Sequence, residues 1–112
     1  MRVAISTDGD IVAQHFGHCP SYTIVEIEGG AIQSRELIAN PGHQPGFLPG
    51  YLADRGVQCI VTGGMGGRAQ TLFDERGVAV VVGVSGTVEE TLQALARGEL
   101  ESGESSCDHC DH

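Results

Sequence analysis

The fold class follows from residues 57–82, which read VQCIVTGGMGGRAQTLFDERGVAVVV. Val57–Thr62 is an apolar strand, and Arg68–Arg76 is a helical stretch that ends at Gly77. The apolar segment Val78–Val82 follows as a second buried strand. A strand, a helix and a strand in this order form a unit with parallel strands and a right-handed crossover. The sequence therefore predicts a parallel sheet that packs against helices.

The first third of the chain predicts antiparallel strands. Met1–Ser6 is a short apolar strand, and Ser21–Glu28 alternates apolar and polar residues. Ala31–Ala39 returns after the hairpin signal Gly29-Gly30. Joined to the parallel unit, these strands predict a five-stranded mixed sheet with helices on both faces.

Two further helices complete the predicted domain. The first runs over Phe47–Arg55, where apolar residues recur at helical spacing. The second begins at a capping box formed by Thr87 and Glu90 and ends at Gly98. We therefore expect one domain over residues 1–98.

Charge and composition disfavour several classes of partner. The chain has 112 residues and a formal net charge of −9, and all six of its basic residues are arginines. Nucleic acid and anionic membrane surfaces are disfavoured, because both are bound through clustered Lys and Arg. No apolar stretch approaches the length of about 20 residues that spans a bilayer, and none resembles a signal peptide. We expect a cytoplasmic protein whose cysteines are thiols or metal ligands.

The segment His15-Phe16-Gly17-His18-Cys19-Pro20 concentrates ligand-type side chains in a turn between two strands. Imidazole and thiolate bind borderline and soft metals, so His15, His18 and Cys19 are candidate metal ligands. The alternative is a loop with solvated histidines and a small buried cysteine. His43 is a further candidate, because it lies in a loop expected at the same edge of the sheet.

The segment Gly63-Gly64-Met65-Gly66-Gly67 lies between a predicted strand and a predicted helix. Glycines here leave backbone N–H groups open at a helix N-terminus, which suits phosphate or an anionic cluster. Neither a Walker loop nor a dinucleotide fingerprint is present. The alternative is tight packing of the strand on the helix.

Residues 99–112 differ from the rest of the chain. They carry five acidic residues and no basic residue, and they end in Cys107-Asp108-His109-Cys110-Asp111-His112. We predict a flexible acidic tail in which Cys107, His109, Cys110 and His112 capture zinc, copper or iron. The alternative is a solvated tail without a specific ligand.

Together, these motifs resemble the dinitrogenase iron–molybdenum cofactor biosynthesis family, which includes NifX, the C-terminal domain of NifB and small stand-alone proteins. The resemblance covers residues 1 to about 98. The segments that carry it are His15–Pro20, Asn40-Pro41, Gly63–Ala69 and Gly86–Glu90, together with the Cys/His-rich end.

The resemblance implies a ribonuclease-H-like three-layer α/β/α fold with sheet order 3-2-1-4-5 and an antiparallel second strand. It also implies a non-enzymatic accessory protein that binds an iron–sulfur or iron–molybdenum type cluster and carries it between cofactor-assembly and cluster-acceptor proteins. The residues that would line the site are His15, Gly17, His18, Cys19, His43, Gly63, Gly64, Met65 and Gly66.

Two other functions compete with this one. The first is a mononuclear metal-binding or metal-sensing module that uses the tail. The second is an enzyme that acts on a phosphorylated small molecule at the glycine segment. The lack of lysine, and of a paired acid and base near the glycine segment, disfavours the enzyme.

Overall fold

The computed structural model describes residues 1–40 and 47–98. The described strands are β1 (Arg2–Asp8), β2 (Ile11–Val12), β3 (Ser21–Glu28), β4 (Ala31–Ala39), β5 (Cys59–Val61) and β6 (Ala79–Val81). The described helices are α1 (Phe47–Asp54), α2 (Gly67–Glu75) and α3 (Val88–Arg97), and a 3₁₀ turn covers Phe16–His18. The predicted strands and helices are present, with bounds shifted by two residues at most.

Strand β1 lies at the centre of a mixed sheet. It pairs antiparallel with β3, with Val3 opposite Val25, and parallel with β5, with Val3 opposite Cys59. The order is β4-β3-β1-β5-β6, and β2 pairs with β1. With β2 left aside, numbering along the chain gives the order 3-2-1-4-5, in which the second strand is antiparallel to the first. This central position explains why β1 is buried on both faces.

The prediction of five strands is wrong, because the described part of the sheet has six and the sixth is β2. β2 has two residues and forms a hairpin with the end of β1, where Thr7 lies opposite Val12. The turn contains Gly9 at φ +65°, a conformation that favours glycine. A two-residue strand shows no alternation of apolar and polar residues, so the sequence pattern could not reveal it.

The sheet separates two hydrophobic cores that share no side chain. Alternate residues of a strand point to opposite faces, so Ile5 of β1 joins one core and Ala4 joins the other. α3 covers the first core through Leu92. α1 and α2 cover the second core through Leu52 and Phe73. The predicted arrangement of helices on both faces is therefore present.

Helix α3 has the ends that the sequence predicts. The Glu90 N–H donates to Thr87 Oγ1 at 3.1 Å, and the Thr87 N–H donates to Glu90 Oε1 at 3.1 Å. Gly98 ends the helix in the left-handed region, at φ +71°. Within the described ranges, no helix has both the length and the apolar character needed to cross a bilayer.

Candidate functional site

A cavity of about 670 Å³ lies between two loops. We name them the histidine loop, Gln14–His18, and the glycine loop, Gly63–Gly67. Helices α1 and α2 complete the wall. The lining residues are Gln14, His15, Phe16, Gly17, His18, Leu48, Pro49, Gly63, Gly64, Met65, Gly66, Arg68, Ala69 and Leu72. The fold therefore brings together two segments that the sequence singled out separately.

Backbone hydrogen bonds join the two loops. The Gly63 N–H donates to the Ala13 carbonyl and the Phe16 N–H to the Gly64 carbonyl, each at 2.9 Å. A Cβ on Gly63 would lie 2.8 Å from Gln14 Cα, and a Cβ on Gly64 would lie 3.0 Å from the Gln14 carbonyl oxygen. A side chain at Gly63 would therefore force the loops apart, and Gly64 is in tight contact with the same loop. From the sequence, the alternative to an anion site was tight packing of the strand on the helix. The close contact in the structure is instead between the two loops.

The last two glycines of the glycine loop have no such packing role. A Cβ on Gly66 or Gly67 would meet nothing within 4 Å. Gly66 has φ −66° and ψ 153°, which any residue adopts, and neither glycine has a positive φ. What glycine provides at these positions is open access to the backbone at the start of α2.

The start of α2 makes one wall of the cavity electropositive. The first bond within the helix runs from the Gln70 N–H to the Gly66 carbonyl at 3.1 Å. The N–H groups of residues 67–69 consequently have no acceptor in the part of the chain that the structure describes. The exposed Arg68 adds a full charge, and the described lining contains no carboxylate. Although the chain as a whole has a net charge of −9, the N–H groups and the guanidinium at this wall favour the approach of an anion.

The 3₁₀ turn carries two exposed imidazoles at the cavity. The ring centroids of His15 and His18 lie 6.4 Å apart, with the rings edge to face. Neutral imidazole is a good ligand for iron, copper and zinc. Over residues 1–40 and 47–98, no three His, Cys, Asp or Glu side chains cluster closely enough to hold a metal ion. The described residues thus offer two imidazoles beside a wall with open N–H groups and one guanidinium.

Cys19 lies beneath the turn and does not line the cavity. Only 4% of its surface is exposed, and its thiol donates to the Phe16 carbonyl at 3.3 Å. The Tyr22 hydroxyl donates to the same carbonyl at 2.8 Å. The structure therefore places His15, Gly17 and His18 at the cavity and Cys19 behind them.

His43 lies outside the described residues, as do Cys107, His109, Cys110 and His112. Their roles as ligands stay predictions.

Some lining residues were not among the predicted site residues. Arg68 directly follows the glycine loop, so a basic residue at a helix N-terminus was an available signal. No feature of the sequence indicated that Leu48, Pro49 and Leu72 line a cavity, because apolar residues in a helix are predicted to lie in the core. Their position at the cavity depends on how α1 and α2 pack together.

Comparison with known proteins agrees with these motifs. The profile of the family described as "Dinitrogenase iron-molybdenum cofactor" matches residues 1–98. The chain belongs to this family. The resemblance inferred from the motifs is thus confirmed, and the family is of the cofactor-biosynthesis type.

Relatives of this family member match it over nearly their whole length. An uncharacterized protein of Methanocaldococcus jannaschii is 31% identical over 106 residues, which is 90% of each chain. The crystal structure of PH0822 has a TM-score of 0.86 at 34% identity, covering 92% of this chain and 95% of that one. The apo form of the orange protein from Desulfovibrio gigas has a TM-score of 0.74 at 22% identity, covering 91% and 92%. At that identity, the likeness to the orange protein shows the fold alone.

Proposed function

We propose that this protein binds an anionic iron–sulfur or molybdenum-containing cluster in the cavity and carries it, as a non-enzymatic accessory protein of metallocofactor biosynthesis. The observation that carries the proposal is the pairing of two imidazoles with an electropositive wall. The cluster is cargo, and an acceptor protein would receive it.

The donor set suits a charged metal–sulfur cargo. His15 or His18 would coordinate an exposed metal of the cluster. The N–H groups at the start of α2 would donate hydrogen bonds to its sulfur or oxygen atoms, and Arg68 would offset its negative charge. With few protein ligands, the cargo can leave without a large barrier, as a carrier requires.

The apolar part of the wall supports the same class of cargo. Leu48, Met65 and Leu72 line the cavity beside the polar groups. A low-dielectric wall strengthens hydrogen bonds and charge interactions with a bound anion. Sulfide-rich clusters are soft and weakly hydrated, so contact with apolar side chains costs them little.

We further propose a ribonuclease-H-like fold and a cytoplasmic location. The strand order without β2 supports the fold assignment. The acidic composition and the absence of a spanning helix among the described residues are compatible with the location.

Anaerobic reconstitution tests the proposal. Wild-type protein is supplied with iron, sulfide and molybdate, or with tetrathiomolybdate and copper, and then examined by visible absorption and elemental analysis. We expect a charge-transfer band and stoichiometric metal. Arg68→Gln should weaken uptake by about five- to tenfold, since one charge-assisted hydrogen bond is lost.

Two further variants make the test specific. Arg97→Gln removes an equal charge from the end of α3 and should leave uptake unchanged. Truncation after Gly98 should keep the band. A band lost only on truncation would move the function to the tail as a mononuclear site, and no band in any sample would reject the carrier function.

A further inference from the structure

The carbonyl of Phe16 is the point at which the histidine loop is attached to the core. It accepts hydrogen bonds from Tyr22 Oη at 2.8 Å and from Cys19 Sγ at 3.3 Å. Both donors are buried, with exposed fractions of 0% for Tyr22 and 4% for Cys19. The carbonyl therefore accepts from two buried donors.

The rest of Phe16 is held as firmly as its carbonyl. Its N–H donates to the Gly64 carbonyl at 2.9 Å, which joins it to the glycine loop. Its ring packs edge-on against Phe73, with a centroid distance of 5.3 Å, and tilted against Tyr22 at 5.6 Å. Since Phe16 lies between His15 and His18, holding it fixes the backbone from which both imidazoles project.

The segment after the turn is attached as well. Asn40 Nδ2 donates to the Cys19 carbonyl at 2.8 Å, and the Asn40 N–H donates to the Pro20 carbonyl at 2.9 Å. These bonds tie the end of the turn to the end of β4. The Cys19 thiol thus sits on fixed backbone and is directed at the Phe16 carbonyl.

We propose that Cys19 and Tyr22 are positioning residues of the cluster site, which hold the Phe16 carbonyl and thereby fix the turn that presents His15 and His18. This inference rests on the proposed function, and it gives Cys19 the role of hydrogen-bond donor in place of the ligand role. Burial, with the Cys19 thiol beside it, raises the pKa of the Tyr22 hydroxyl above its ordinary value, so the hydroxyl stays a donor at any physiological pH.

The first test is amide hydrogen exchange on protein without cargo. In Tyr22→Phe and in Cys19→Ala, the Phe16 amide should exchange about tenfold faster relative to the Val25 amide in β3, because an anchoring hydrogen bond is lost. Cys19→Ser keeps a donor and should restore the wild-type ratio. Gln33→Ala changes an exposed side chain of β4, and it should leave the ratio unchanged.

The second test is anaerobic cluster uptake by the same variants. Tyr22→Phe and Cys19→Ala should raise the apparent dissociation constant about fivefold with band positions unchanged, whereas Cys19→Ser should match wild type. A band that is lost or shifted in Cys19→Ser would show that the thiolate is a ligand and overturn the proposal. Unchanged exchange ratios in Tyr22→Phe and Cys19→Ala would also overturn it. If the wild-type protein takes up no cluster, the proposed function is rejected. The exchange ratios would then still show whether Cys19 and Tyr22 hold the Phe16 carbonyl in place.

Discussion

Alanine at Gly63 should destabilise the protein and alanine at Gly66 should not, although the two glycines are only three residues apart. At position 63, the new Cβ would lie 2.8 Å from Gln14 Cα and 2.9 Å from the Ala13 carbonyl oxygen. These are backbone atoms and cannot rotate away. The loops must separate, which strains or breaks the 2.9 Å bond from the Gly63 N–H to Ala13.

The expected loss follows from this geometry. Overpacking in a well-packed region costs about 1–3 kcal/mol, and loss of the hydrogen bond falls within that range. For a domain of this size, the melting temperature should fall by about 4–12 °C in Gly63→Ala. In Gly66→Ala, the Cβ meets nothing and the backbone is already extended. Alanine is less favourable than glycine at a helix N-cap, but it also restricts the unfolded chain, so we expect a change within about 0.5 kcal/mol of zero.

Thermal and urea unfolding of both variants, followed by circular dichroism, measure these differences. Cluster uptake adds a second comparison, because a larger side chain at position 66 should obstruct the start of α2 without unfolding the protein. Gly66→Val should therefore lose affinity at nearly wild-type stability. Equal stability of the two alanine variants would refute the reasoning that close loop contact, and not backbone conformation, requires glycine at position 63.

The remaining predictions concern helix α3 and the core. Thr87→Ala removes the hydroxyl that accepts from the Glu90 N–H and should lower the free energy of unfolding by about 1 kcal/mol, whereas Thr71→Ala on the exposed face of α2 should change it little; urea titration measures both. Hydrogen bonds from Thr87 hold the pKa of Glu90 below its ordinary value of 4.5. The Glu90 carboxylate therefore stabilises the folded protein above pH 4.5, and this stabilisation is lost as the pH falls through the lowered pKa. The free energies of unfolding of wild type and Glu90→Gln should consequently converge in acid, as urea titrations at a series of pH values would measure. Phe73→Ala empties a fully buried ring position and should cost about 3–5 kcal/mol by the same titration, and a smaller loss would mean that the core collapses around the space.

Much of the fold could be predicted from the sequence, because short-range patterns define most of its strands and helices. The bounds of β3 and β4 are as predicted, since alternation and the Gly29-Gly30 hairpin define both strands. The capping box of α3 is likewise a short-range signal. β2 was missed because its two residues depend on pairing with β1 and not on a pattern of their own.

The candidate site was accessible only in part. The histidine and glycine segments stand out by composition, and both line the cavity. Their mutual contact through Gly63 depends on tertiary structure, as does the orientation of Cys19 away from the cavity. A cysteine beside two histidines has the same sequence pattern whether its thiol binds a metal or a carbonyl oxygen.

The separation of the two cores bears on how the proposed cargo would be released. The cavity lies on the face that α1 and α2 cover, while Ile5, Val25 and Leu92 form the core under α3 on the opposite face. Local opening of the loops or of α1 would disturb only one of these cores, because no side chain belongs to both. The face under α3 can keep the strands in register during such an opening. Unloading and reloading would then be local events whose rates are independent of the rate of global unfolding.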